Sequence, residues 1–155
     1  MQDFKNLAVW QAARRLTKSV YQLSADFPQS EEFGLKAQMR RASVSICSNI
    51  AEGCGRRGDR EFRRFLDVAM GSACELECEL IIACDLAFIA ESVREQALTV
   101  LIEIKRMLTG LMKRLIAASG RQLRNASVGG NHPTLKPPLL KAESRELTAE
   151  LKAES

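Results

Sequence analysis

Five arginines lie close together in the middle of this chain: Arg56, Arg57, Arg60, Arg63 and Arg64. Only Asp59 and Glu61 oppose them within the same stretch, so five positive charges against two negative ones leave an excess of three. A guanidinium group matches the geometry of a phosphate and donates two parallel hydrogen bonds to it. The cluster is therefore a candidate nucleic-acid contact. The alternative is a solvated face whose arginines pair with carboxylates on neighbouring helices.

Four further basic residues follow at spacings of seven to eight and are expected to widen this patch from one side of a helix: Lys105, Arg106, Lys113 and Arg114. The whole chain has 23 Lys and Arg against 19 Asp and Glu, a net charge of +4. This balance permits binding to a polyanion without requiring it. The aromatic residues near the basic ones show no pattern that indicates base stacking.

The groups that enzymes commonly use are missing from the helical part of the sequence. The single histidine is His132 in the C-terminal stretch, which excludes Ser–His and Cys–His pairs and the Glu-x-x-His motif of di-iron bundles from the rest. Glu52, Glu75 and Glu79 form a carboxylate set that could bind a metal or share a proton. Their commoner role is to pair with Arg40, Arg41 or Arg63 and fix the helix register. We predict a protein without catalytic residues or a cofactor.

The five cysteines also argue against a metal site or a disulfide framework. Cys74 and Cys78 are one helical turn apart, but there is no C-x-x-C motif, and we expect the thiols to be reduced. The N-terminus lacks the layout of a signal peptide, and no run of 18 apolar residues occurs. These features predict a cytoplasmic protein that does not enter a membrane.

Apolar residues recur every three to four positions in four successive segments, which predicts four amphipathic helices. Asn6 is the expected N-cap of the first helix, which should end before Pro28. The second helix is expected to begin through Ser30 and to end with Gly53 as a left-handed C-cap. Asp59 is the expected cap of the third helix. Its end is less sharply marked, and the turn is placed near Phe88.

Ser92 followed by Glu95 has the spacing of a capping box and predicts the start of the fourth helix, which should end at Gly120. Its apolar arc is wider than one bundle seam needs, because six residues extend it: Leu98, Val100, Ile102, Met107, Met112 and Ile116. Part of it could face another subunit or fill a deeper core position. Short connections predict an all-α, antiparallel up-and-down four-helix bundle.

The bundle domain is predicted to span residues 1–120, and residues 121–155 to form a linker and a flexible tail. Pro133, Pro137 and Pro138 mark the linker. The tail repeats Leu140-Lys-Ala-Glu-Ser144 as Leu151-Lys-Ala-Glu-Ser155. Two interpretations remain open for it, disorder and a helix that forms on a partner.

Several short sequence words occur in a recognisable order: Val9-Trp10-Gln11, Gln38-Met-Arg-Arg-Ala42, Asn49-Ile-Ala-Glu-Gly53, Arg64-Phe-Leu66 and Glu75-Leu-Glu77. Over about residues 4–118 the chain resembles the bacterial four-helix-bundle family named for proteins encoded within 23S rRNA intervening sequences. The resemblance implies a homopentamer with no accepted catalytic site. It also implies that Asn49, Glu52, Arg64, Gly71 and Glu75 occupy recurrent positions, which we interpret as packing and polar-network residues.

Relatives in that family include accessory proteins of diversity-generating retroelements, which bind a reverse transcriptase and nucleic acid through basic surfaces. The sequence and the resemblance together predict a non-enzymatic homo-oligomer that binds RNA or a nucleic-acid-bound partner. The alternative is a protein–protein scaffold with no affinity for nucleic acid.

Overall fold

The computed structural model describes residues 3–128, which form four α-helices and no strand. The helices are α1 (Ala8–Leu23), α2 (Leu35–Gly55), α3 (Asp59–Asp85) and α4 (Glu91–Val128). Each helix packs against the next one along the chain, and α4 packs against α1 to close the ring. Because the connections are short, neighbouring helices run antiparallel. The predicted up-and-down four-helix bundle is confirmed.

The core lies along the central axis and is built from the apolar stripe of each helix. Val20, Met39, Leu76 and Leu101 show how complete the burial is, since each has a relative exposure of 0%. One aromatic pair, Phe27 and Phe88, closes the end of the bundle that contains the α1–α2 and α3–α4 connections, with ring centroids 5.3 Å apart.

The helix starts differ from the sequence predictions by a few residues. A short 3₁₀ helix occupies Phe4–Asn6, so α1 begins after Leu7 and Asn6 does not cap it. Helix α2 begins after Gly34 rather than through Ser30, and Glu31 caps it from outside, where its Oε2 accepts a hydrogen bond from the Leu35 amide at 2.9 Å. A carboxylate in this position satisfies an otherwise unpaired amide.

The turn between α2 and α3 is tighter than predicted. Gly53 is a buried residue inside α2 and not its C-cap, because the helix continues to Gly55. Gly58 adopts a φ of 92° and is the residue that precedes α3, while Asp59 is the first residue of the helix and not its cap. A positive φ favours glycine, which explains the residue type at this reversal of the chain.

The connection from α3 to α4 includes Phe88, as predicted, and contains Ala87 with a φ of 58°. Helix α4 begins at Glu91 and runs through Gly120 to Val128, so the predicted helix end at Gly120 is wrong. Glycine lowers helix propensity but does not stop a helix by itself. Of the predicted linker and tail, residues 121–128 belong to α4, and residues 129–155 lie outside the described residues.

The wide apolar arc of α4 divides into two groups. Leu98, Val100, Met107 and Met112 are half-buried and pack against the core. Ile102 and Ile116 are exposed by 42% and 53%. Within residues 3–128, no helix is both long enough and apolar enough to cross a membrane.

Candidate nucleic-acid interface

The five clustered arginines surround the turn between α2 and α3, and all of them are exposed. Arg56 directly follows α2, Arg57 lies in the turn, and the other three occupy the first two turns of α3. Gly58 reverses the chain between the two helices. The turn therefore concentrates arginines from two helices at one end of the bundle.

Two of the five arginines are paired within the chain. Arg56 forms an ion pair with Glu52 one turn earlier and lies over the ring of Phe65, 5.2 Å from its centroid. Arg64 lies 3.8 Å from a carboxylate oxygen of Glu61. Exposed pairs of this kind contribute roughly 0–1 kcal/mol to stability.

The other three, Arg57, Arg60 and Arg63, form no hydrogen bond or ion pair with any residue in the described range 3–128. We call these three residues the arginine surface. Because their guanidinium donors are exposed and have no partner among the described residues, we treat them as available to an anionic ligand.

A groove of about 220 Å³ lies beside the arginine surface, where the start of α3 meets the C-terminal half of α4. It is lined by Asp59, Arg60, Arg63, Leu115, Ile116 and Ser119. The Ser119 hydroxyl donates to the Leu115 carbonyl oxygen at 3.0 Å and lies 3.4 Å from Asp59 Oδ2. The groove therefore combines an apolar wall with the carboxylate of Asp59 and two arginines that have no partner among the described residues.

The basic residues of α4 do not form a single extension of this surface. Lys105 Nζ binds Glu77 Oε2 on α3 at 2.7 Å, and this hydrogen bond raises the pKa of Lys105. Arg114 is nine residues further on, about two and a half helical turns, which places it on the opposite side of α4 from Lys105. Arg106 and Lys113 are exposed. Lys113 is the closer of these two in sequence to the groove.

The polar residues predicted to fix the helix register make separate contacts and not one network. Arg41 lies 3.7 Å from Glu75, which links α2 to α3. Arg40 Nε donates to Ser24 Oγ at 2.9 Å and its guanidinium lies over the Tyr21 ring, which links α2 to the end of α1. Asn49 donates to the Ser45 carbonyl oxygen within its own helix, and Glu52 is the partner of Arg56.

Glu79 differs from the other carboxylates because it is buried, with a relative exposure of 5%. Neither of its carboxylate oxygens has a hydrogen-bond partner among the described residues. Burial, with a smaller contribution from the nearby charge of Glu75, raises its pKa to about 7, against an opposing effect of Arg41. The predicted pairing of Glu79 with an arginine does not form. Its position on the apolar stripe of α3 was the available signal for this isolation.

The cysteines are all free thiols. Burial raises the pKa of Cys54 to about 11 and also raises that of Cys47, so both are held as weakly nucleophilic thiols. Cys74 and Cys78 are exposed on α3. No group of three or more metal-ligating side chains comes together within residues 3–128.

Comparison with known proteins identifies the family and the fold. A crystal structure of a protein of unknown function from the S23 ribosomal protein family of Bacteroides thetaiotaomicron is similar to this chain, with a TM-score of 0.64 and 22% identity over 68% of this chain and 99% of that one. At this identity the likeness supports the fold alone. No curated protein matches the sequence. The family model described as 23S rRNA-intervening sequence protein matches residues 5–110, and the chain therefore belongs to that family.

Proposed function

We propose that this protein is a non-enzymatic, self-associating helical bundle that binds RNA, or a protein already bound to nucleic acid, through the arginine surface. The observation that supports the proposal is the exposure of Arg57, Arg60 and Arg63 without any partner among the described residues. If this were only a solvated structural face, these arginines would be expected to pair with the carboxylates of adjacent helices. None of the five does so: Arg56 and Arg64 pair only with carboxylates three or four residues away in the sequence, and these three have no partner among the described residues.

The chemistry of the arginine surface favours contacts to phosphates. Three guanidinium groups around one turn present a dense set of donors to the backbone of a nucleic acid. Phe62, between Arg60 and Arg63 in the sequence, is buried, and Arg56 lies over the ring of Phe65. We therefore expect recognition of backbone and shape with little discrimination between base sequences. By its resemblance to retroelement accessory proteins, we propose a reverse transcriptase carrying RNA as the alternative partner, and the cytoplasm as the location.

Self-association is the second part of the proposal, and the number of five subunits comes from the family resemblance. The support within the structure is a pair of large apolar side chains exposed on the α3–α4 side, Ile81 and Ile102, with exposures of 41% and 42%. Exposed apolar side chains that lie near each other are typical of interaction surfaces. Light scattering of the wild type and of Ile102→Glu tests this part. We expect an oligomer that dissociates in the variant, and a monomeric wild type would contradict it.

RNA binding is tested by fluorescence anisotropy of a labelled structured RNA and a matched DNA duplex, titrated at about 50 and 200 mM salt. Three phosphate contacts predict that affinity falls roughly 20- to 40-fold between these salt concentrations, because each neutralised phosphate releases counterions. Absence of binding at the lower salt concentration would contradict the proposal.

A scaffold without affinity for nucleic acid is the second candidate function. The ion pair between Arg56 and Glu52 and the contact of Arg41 with Glu75 favour it, because they show that some arginines stabilise the bundle itself. Charge reversal of Arg56, Arg57 and Arg60 separates the two functions. A scaffold predicts no RNA affinity in any form of the protein, whereas RNA binding predicts affinity in the wild type that is lost in the variant. Because only Arg56 of the three has a partner among the described residues, stability should change by less than about 1 kcal/mol in either case.

A further inference from the structure

We infer that the groove between α3 and α4 binds one unpaired guanine of the RNA, and that Asp59 recognises this base. The inference rests on the proposed function and adds to it the kind of nucleotide that the site takes. The backbone of the same strand lies on the arginine surface, so a single position of base recognition joins a contact that is otherwise made to phosphates.

The size and the walls of the groove fit a single base. Its volume of about 220 Å³ is below the roughly 300–1,000 Å³ of pockets that enclose drug-sized molecules, so it has room for one ring system and not for a base pair. Ile116 forms part of its apolar wall and is 53% exposed, and a flat base placed against this side chain removes apolar surface from water. RNA offers such a base only where it is unpaired, since a paired base is stacked within its helix.

Asp59 is the acidic residue of the groove lining, and its carboxylate is half-buried. Its only hydrogen-bond contact within residues 3–128 is with the Ser119 hydroxyl, 3.4 Å from Oδ2, and that hydroxyl donates to the Leu115 carbonyl oxygen at 3.0 Å. Arg63 is one helical turn away, the spacing of an i,i+4 ion pair, yet the described part of the chain contains no ion pair between the two residues. The carboxylate therefore keeps its acceptor oxygens for a ligand that donates hydrogen bonds.

A carboxylate selects guanine among the four bases because of the groups on its Watson–Crick edge. Guanine presents there two adjacent N–H groups, which match the two oxygens of a carboxylate as the fork of an arginine does. Adenine and cytosine present an amino group beside an unprotonated ring nitrogen, whose lone pair faces the second oxygen, and uracil presents one N–H between two carbonyl groups. Arg60 and Arg63 line the same groove and neutralise the phosphates next to the base.

Fluorescence anisotropy of labelled RNA hairpins at about 50 mM salt tests the inference. The hairpins differ only at one bulged position, which carries guanosine, inosine, adenosine, cytidine or uridine, and a further hairpin has no bulge. Inosine is the sharpest probe, because it is guanosine without the 2-amino group and so lacks one of the two donors. We expect the guanosine hairpin to bind at least about fivefold more tightly than the inosine hairpin, since a hydrogen bond to a charged acceptor is lost.

The Asp59→Asn chain shows which residue recognises the amino group. Its amide pairs with the N–H and the carbonyl oxygen that guanosine and inosine share, so the ratio of the two affinities should fall below about twofold. Asp67→Asn is the matched control, because it removes the same charge from an exposed position two turns further along α3 and should leave the ratio unchanged. A guanosine preference that survives Asp59→Asn would overturn the inference, because the base would then be bound elsewhere.

The same titrations separate this inference from the proposed function. If all hairpins bind equally tightly and the Arg57→Ala, Arg60→Ala, Arg63→Ala chain loses that affinity, the inference fails and the proposed function stands. If no hairpin binds the wild type at about 50 mM salt, both fail. A preference for guanosine that is lost in Asp59→Asn and kept in Asp67→Asn supports both.

Discussion

Replacing Glu79 by glutamine should make the stability of the bundle less sensitive to pH. The carboxyl group is buried, and neither oxygen has a hydrogen-bond partner among the described residues. The charged groups that act on it are Glu75 on its own helix and Arg41 on α2. Burial outweighs the attraction of Arg41 and raises the pKa of Glu79 from 4.5 to about 7.

The direction in which stability changes with pH depends on whether the folded or the unfolded chain binds the proton of Glu79 more tightly. Below about pH 4.5 the carboxyl is protonated in both the folded and the unfolded chain, so it contributes no penalty. Between pH 4.5 and pH 7 the unfolded chain ionises first, and the free energy of unfolding falls as pH rises. Above pH 7 the penalty is constant. The difference between the two pKa values corresponds to at most about 3 kcal/mol.

Urea unfolding of wild type and Glu79→Gln at pH 4 and pH 8, at one protein concentration, measures this difference. Glutamine should stabilise the bundle at pH 8 by up to about 3 kcal/mol relative to its effect at pH 4. Glu95→Gln makes the same chemical change at an exposed position of α4 and should leave the pH dependence unchanged. Parallel pH profiles for wild type and Glu79→Gln would refute the conclusion that the buried carboxyl is isolated.

Three further predictions concern stability and are read from chemical denaturation. Gly53→Ala should destabilise the bundle by about 1–3 kcal/mol, because the added Cβ would lie 2.7 Å from a ring carbon of Phe62. Gly71→Ala is the control: its Cβ would have no atom within 4 Å, so the substitution should stabilise the helix by about 0.5–1 kcal/mol. Gly58→Ala should destabilise by about 1–2 kcal/mol, since its φ of 92° strains any other residue, and an unchanged midpoint would show that the turn relaxes freely. Lys105→Met should destabilise by about 1 kcal/mol at low salt, because it leaves Glu77 half-buried without its donor, and an effect that is no smaller at high salt would contradict an ion-pair origin.

The fold was predictable because each helix carries its own periodic apolar stripe, and this stripe shows which face of the helix is buried. The helix ends were harder, because they depend on competition between local caps. Gly53 has the residue type of a C-cap, yet the helix continues past it. The ring of Phe62 packs against Gly53 in the space that a side chain would occupy, which explains the glycine at this position. Gly120 likewise has the type of a helix end, and α4 passes through it.

The sequence predicted the cluster of arginines, but it did not predict which of them are paired with carboxylates. Sequence spacing shows that Arg56 and Glu52 are one turn apart, so their ion pair could have been expected. The freedom of Arg60 and Arg63 depends on what α4 presents opposite them, which is Leu115 and Ile116 rather than a carboxylate. Such contacts between helices depend on rotation and register, and the sequence alone does not fix these.

The central claim is that the three unpaired arginines of the arginine surface bind RNA. The most direct measurement compares RNA affinity, at about 50 mM salt, of the Arg57→Ala, Arg60→Ala, Arg63→Ala chain with that of an Arg41→Ala, Arg64→Ala chain, whose arginines have carboxylate partners. We predict at least a tenfold loss of affinity in the first chain and less than a threefold loss in the second. Equal affinity in both chains and the wild type would contradict the claim.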